Sequence, residues 1–157
     1  MPGTERGITN KGVTYQGGVV VGEKIKLFFG RLVCADLGER DSERLPVPLS
    51  IIATDVGNGK QVVFREGSLT KAMRASMSVP GLMAPIDHQG HKLVDGGLVD
   101  NVPIDEARTR CKADVVIAVN VRSPLMNADD VGSLLTVPVQ MVNILTEQNV
   151  TRALASL

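Results

Sequence analysis

An acid followed by two glycines, Asp95-Gly96-Gly97, closes the short apolar run Lys92-Leu93-Val94 and leads on to Leu98-Val99-Asp100-Asn101-Val102-Pro103. A carboxylate at the end of a strand can take a proton from a hydroxyl or a water. Backbone without Cβ at Gly96 and Gly97 can turn sharply and let other groups come close. Open α/β sheets bind ligands beyond the carboxyl ends of their strands. Asp-Gly-Gly is also common in ordinary turns, so these residues alone leave a solvated turn aspartate equally open. Asp100, the next acid, lies beyond the turn and reads as a capping or solvated residue.

His88 and His91 suggest two other chemistries, a metal site with Asp87 or Asp95 and a Ser-His-Asp triad. A catalytic zinc needs three converging protein ligands, and a His-x-x-His hairpin tip supplies too few; no metal is expected. Ser76 and Ser78 are the nearest hydroxyls, but neither is flanked by the small residues that a strained nucleophile elbow requires. They read instead as the end of a helix packed beneath the acid. Gly96-Gly97 lacks the spacing of a dinucleotide or phosphate loop, and no cofactor is expected. Cys34 and Cys111 belong to no Cys-x-x-Cys pair and read as small buried hydrophobes.

The elements that must position these groups follow from periodicity and punctuation. Ile25, Phe28, Phe29, Leu32 and Val33 recur at helical spacing, and the helix should end near Gly38. Leu49 to Thr54 is a short apolar run suited to a buried strand, paired through Asn58-Gly59 with Gln61 to Phe64. Ser68 can cap a helix whose Leu69, Ala72, Met73 and Met77 share a face, closed by Pro80-Gly81. Met83 to Ile86 and His91 to Val94 flank a hairpin turn. Pro103, Asp105 and Glu106 open the next helix and Arg108, Arg110 and Lys112 close it, as the macrodipole prefers. Its buried stripe is Ile104, Ala107 and Cys111. Asp114 to Val121, apolar on both faces, reads as a central parallel strand. A loop over 123–132 then leads to a final helix from Pro138 to Leu157. Its apolar stripe is interrupted by Thr146-Glu147-Gln148-Asn149.

Composition narrows the partners. The 157 residues are 43% hydrophobic, enough for one sizeable core, and 17 basic side chains balance 17 acidic ones. Such balance gives no electrostatic footprint for nucleic acid or an anionic membrane surface. Three phenylalanines, one tyrosine and no tryptophan offer no base-stacking platform or interfacial belt. No apolar run is long enough to span a bilayer and the start shows no signal-peptide core, so a soluble chain is expected, with its compartment undetermined.

Several ordered motifs share one resemblance. Ile52-Ala53-Thr54-Asp55 with Gly59 and Phe64, Ala75-Ser76-Met77-Ser78-Val79-Pro80-Gly81, Ala84-Pro85, Asp95-Gly96-Gly97-Leu98, Asn101-Val102-Pro103 and Ala113 to Val121 resemble the C-terminal half of a patatin-like phospholipase domain. The likeness runs over about 46–121. It implies an α/β fold with a mainly parallel sheet flanked by helices. Residues 1–122 would be the C-terminal part of that domain, and 123–157 its loop and last helix. The domain would be incomplete, lacking the nucleophile-bearing part.

The resemblance further implies a lipid acyl ester hydrolase of phospholipase A or lysophospholipase type, acting on phospholipid or another lipid ester without a cofactor. In that family a Ser-Asp dyad works without a histidine, and the aspartate's role carries onto Asp95. The glycine-rich oxyanion segment and the Gly-x-Ser-x-Gly elbow are not in this sequence, so the chain alone is expected to be inactive. A non-catalytic binding or assembly module, or an unrelated α/β enzyme using Asp95 differently, are the alternatives. The unsatisfied stripe of the last helix suggests a homo-oligomer.

Overall fold

The computed structural model describes residues 6–9, 12–15, 18–20, 23–32, 45–121, 123–133 and 136–156. Three short strands, β1 (Arg6–Thr9), β2 (Gly12–Tyr15) and β3 (Gly18–Val20), precede helix α1 (Glu23–Leu32). The stretch expected to carry α1 on towards Gly38 lies outside the described residues, as does Cys34.

Tight turns decide the main sheet. β4 (Ile51–Asp55) and β5 (Lys60–Phe64) are joined through Asn58-Gly59, where Gly59 takes the left-handed φ of +68°. After helix α2 (Leu69–Ser76) and the short β6 (Gly81–Met83), strands β7 (Ile86–His88) and β8 (His91–Asp95) form a two-residue hairpin. Its central residues, Gln89 and Gly90, both have positive φ, which matches the twist of the strands they connect. The sheet order is β5-β4-β8-β7 and every pairing in it is antiparallel. Among the described residues only β3 and β6 pair in parallel, Gly18 opposite Gly81 and Val20 opposite Met83.

Among the described residues the strands do not form the mainly parallel sheet expected. The β4–β5 and β7–β8 pairs are hairpins, whose short connections impose antiparallel neighbours; β4 and β8 also run antiparallel, though β5, α2, β6 and β7 lie between them. The segment on which the parallel reading rested, Asp114 to Val121, joins no described ladder. Val116 and Ala118 pack inward, while Val115, Ile117, Val119 and Val121 are 71–85% exposed.

Among the described residues two clusters make the core. Ala53 and Leu93 of the sheet meet Ala72 and Ala75 of α2, with Phe64 at the edge. Helix α3 (Ile104–Cys111) begins after Pro103 and contributes Ile104 to a second cluster with Val102 and Val150. Val150 belongs to helix α4 (Thr136–Leu154), which starts two residues ahead of the expected Pro138. The reason is a local cap: the Thr136 N–H donates to the Ser133 hydroxyl at 3.0 Å, and the Ser133 N–H donates to Thr136 Oγ1 at 2.9 Å. Glu106 ties α3 to the sheet, accepting from Arg65 at 2.9 Å and from the Ser50 hydroxyl at 3.0 Å.

Candidate active site

Asp95 ends β8 and Gly96–Leu98 form a single 3₁₀ turn behind it. The backbone of the aspartate is held on both sides. Its N–H donates to the Ser78 carbonyl at 3.0 Å and its own carbonyl accepts the Thr54 hydroxyl at 2.8 Å. The carboxylate turns back on its own chain, Oδ1 accepting the Gly97 N–H at 2.7 Å. Gly96 is packed so closely that a Cβ there would overlap the carbonyl oxygen of Ile52. Glycine is required at that point by contact rather than by φ.

Asp95 faces a cleft of about 450 Å³. Its walls include Ser76 and Met77 at the end of α2, Ile51 and Ile52 of β4, and Asp100, Asn101 and Pro103 beyond the turn. Burial pushes the Asp95 carboxyl above its ordinary value, and the Gly97 N–H only partly opposes this. Asp100 shares the cleft. It is partly exposed, and Gln61 Nε2 donates to its Oδ2 at 2.9 Å. Burial raises this carboxyl as well, the Gln61 bond works against that, and the charges of Asp105 and Glu106 add to it. Among the described residues no three His, Cys, Asp or Glu side chains converge as a metal site would require.

The two candidate serines are separated by the fold. Ser78 is fully buried, accepting from Arg74 Nη1 at 2.5 Å and donating to the Arg74 carbonyl at 2.7 Å. That pair locks the chain just beyond α2, and the Ser78 carbonyl in turn holds Asp95. Ser76 does reach the cleft wall, but among the described residues no hydrogen bond joins it to Asp95.

The histidines lie elsewhere. His91 Nδ1 sits 2.7 Å from Asp55 Oδ2, so its carboxylate partner is neither Asp87 nor Asp95. Asp87 pairs on the surface with Lys92 at 2.8 Å. His88 packs edge-on to Phe64 at 5.0 Å, and its pKa is lowered by burial first and then by Lys71 and His91. Both histidines line a separate cavity of about 780 Å³.

Sequence reasoning missed the contribution of α4. Asn149 Nδ2 donates to the Gly97 carbonyl at 2.6 Å and the Asn101 N–H donates to Asn149 Oδ1 at 3.3 Å. Thr146 Oγ1 donates to the same Gly97 carbonyl at 3.3 Å. The signal was present as the polar block that breaks the helix stripe; an uncharged polar pair one turn apart on an otherwise apolar face needs partners.

Comparison with known proteins bears on the same stretch. A family model described as patatin-like phospholipase matches residues 12–108. An uncharacterized NTE family protein of Mycobacterium tuberculosis is 42% identical over 79 residues, half of this chain and 22% of that protein. A second NTE family protein of the same organism is 37% identical over 107 residues, 66% of this chain and 18% of that protein. The mouse (Mus musculus) patatin-like phospholipase domain-containing protein 7 is 42% identical over 87 residues, 54% of this chain and 6% of that protein. The chain thus spans about a fifth of the length of the mycobacterial relatives. No helix among the described residues is long and apolar enough to cross a membrane.

Proposed function

The chain belongs to the patatin-like phospholipase family, and from that premise we propose that it carries the base of a lipid acyl ester hydrolase, with Asp95 as the aspartate of a Ser-Asp dyad. The observation that supports this most is the state of the carboxylate. It is half-buried at the edge of a cleft, raised in pKa, and tied through one oxygen to the Gly97 N–H. A raised pKa brings a carboxylate closer to neutrality, where a general base is most effective.

With Oδ1 engaged, Oδ2 is the oxygen that takes the proton. A serine hydroxyl set against Oδ2 gives up its proton as its oxygen attacks the acyl carbon. The tetrahedral intermediate then collapses, and the leaving alkoxide recovers the proton from Asp95. Water repeats the sequence on the acyl-serine, with Asp95 again as the base. Neither step calls on a cofactor. The serine in an elbow and the glycine-rich oxyanion donors are not in this sequence, so the 157-residue chain is inactive by itself. Losing even one oxyanion donor commonly costs about 10²–10³ in rate. The same missing elbow is what favours the second reading, a non-catalytic module of this family that binds lipid or a protein partner.

The test joins the chain to a nucleophile-bearing segment taken from an active family member and follows hydrolysis of a short-chain nitrophenyl ester and a phospholipid. Asp95→Asn preserves shape and removes the base; hydrolysis should fall by roughly 10²–10⁴-fold. His88→Ala and His91→Ala should cost little. A folded histidine variant as damaged as Asp95→Asn would refute the dyad, and a joined protein with no turnover at all would favour the module.

A further inference from the structure

The Gly97 carbonyl and the Asn101 N–H are four residues apart, the pair that a continuing α-helix would join. In this protein the Asn149 carboxamide is inserted between them, as donor to Gly97 and acceptor from Asn101. Only one orientation of the amide satisfies both partners. The insertion stops the 3₁₀ turn at Leu98 and lets the chain run on to Pro103. It also completes the restraint on one residue: Gly97 is held through its N–H by Asp95 Oδ1 and through its carbonyl by Asn149 and Thr146. Val150, the next residue on α4, is 2% exposed against Val102 and Ile104, which seats the helix at this point. Asn149 and Thr146 both lie outside the 12–108 stretch that the family model covers.

We propose that Asn149, supported by Thr146, is a positioning residue for the Asp95 carboxylate: it fixes the turn so that the Gly97 N–H stays on Oδ1 and Oδ2 is left directed into the cleft. Its importance for catalysis rests on the reading of Asp95 as the base, but the geometric claim does not. The mechanism is mechanical. A glycine whose carbonyl is released can rotate its flanking peptides at little cost, and the short bond at its N–H is the first to lengthen. A carboxylate that loses an N–H donor loses stabilisation of its charged form.

The experiment uses the 157-residue chain without substrate, following the Asp95 side-chain carboxyl carbon and the Gly97 amide proton by NMR across pH. Asn149→Ala should move the Asp95 titration to higher pH and shift the Gly97 amide proton upfield, as a weakened hydrogen bond does. Asn149→Asp keeps the Asn101 contact and loses the donor to Gly97; it should shift both signals in the same directions. Thr146→Ala, which removes only the longer bond, should give the same directions with smaller amplitude, and serves alone if the Asn149 variants fail to fold. Val150→Ala loosens the helix without touching the turn, lowering the melting temperature while both signals stay at their parent positions. Parent-like signals in all the folded Asn149 and Thr146 variants would overturn the proposal. Equal shifts in Val150→Ala would overturn it too, since any loosening of α4 would then suffice. Asp95→Asn leaving the joined enzyme active would remove the dyad reading and leave the clamp standing.

Discussion

Two aspartates end adjacent strands of the same sheet, and their turns begin alike. Asp55 closes β4 and accepts the N–H of Gly57 at 2.9 Å; Asp95 closes β8 and accepts the N–H of Gly97 at 2.7 Å. The difference lies in the second oxygen. Asp55 Oδ2 meets Asn58 Nδ2 at 2.7 Å and His91 Nδ1 at 2.7 Å. These donors, led by the Gly57 N–H and opposed by burial, hold the Asp55 carboxyl below its ordinary value. For Asp95 burial outweighs the single N–H, and the shift is upward. One residue type in one turn geometry thus gives a lowered carboxyl at one end of the sheet and a raised one at the other. The visible difference is the pair of donors on Asp55 Oδ2.

The residue between each aspartate and its glycine separates the turns most sharply. Beside Asp55 it is Val56, which is 55% exposed. Beside Asp95 it is Gly96, pressed against the Ile52 backbone. A methyl group cannot be accommodated there by moving a side chain, because the obstacle is a strand carbonyl. Gly96→Ala should cost about 3 kcal/mol in urea unfolding, at the upper end of overpacking effects. Val56→Ala should stay within about 0.5 kcal/mol, as exposed substitutions do. Equal losses at the two positions would mean that the Asp95 turn is no tighter than its counterpart.

Much of this frame was legible in the sequence, and what was not has physical reasons. The helix cap at Ser68, both hairpins and the strand–turn–helix around Asp95 follow from local chemistry, in which glycine, proline and capping residues act on their immediate neighbours. The strand at Asp114–Val121 was misread because strand formation depends on a neighbour to pair with, and the composition of one segment does not contain that neighbour. Likewise the direction of the two hairpin pairs is set by their short connections, not by how apolar a strand is. At the site, Asp95 and its glycines could be singled out, whereas Asn149 and Thr54 could not be assigned to it. Their partners are more than 40 residues away, and only the folded chain brings them together.

Opposite pKa shifts require opposite pH dependence of stability. The folded Asp95 binds its proton more tightly than the unfolded chain does. Stability therefore declines as pH rises from the ordinary aspartate value of 3.8 through the raised one, and above that window the charged Asp95 is a net burden. Asp55 is the reverse: its stabilisation is complete above 3.8 and is lost as pH falls through the lowered value. At neutral pH, Asp95→Asn should raise the denaturation midpoint and Asp55→Asn should lower it. At a pH below both folded values, the two variants should approach the parent. Two midpoints moving in the same direction at neutral pH would break the contrast.

The smallest expected effect tests whether Oδ2 donors make the difference. His91→Ala removes a hydrogen bond and a nearby charge from Asp55, leaving the Gly57 N–H on Oδ1 and Asn58 on Oδ2. The side chain of His91 is 57% exposed, so the substitution opens no cavity and the stability change should be slight. What should change is the carboxyl titration, read from the Asp55 side-chain carbon. It should move upward, because two of the influences that lower it are gone while burial remains. It should still stop short of the Asp95 titration measured in the same sample. The Gly57 N–H is the largest of the influences on Asp55, and Asn58 continues to donate. Removing Asn58 as well, in Asn58→Ala with His91→Ala, leaves Asp55 with one backbone N–H on one oxygen, the arrangement Asp95 has. If the doubly stripped Asp55 then titrates as Asp95 does, donor count on Oδ2 accounts for the divergence. If it remains below the ordinary value, donor count on Oδ2 is not what separates the two carboxylates, and the Gly57 N–H alone is enough to hold Asp55 down against its burial.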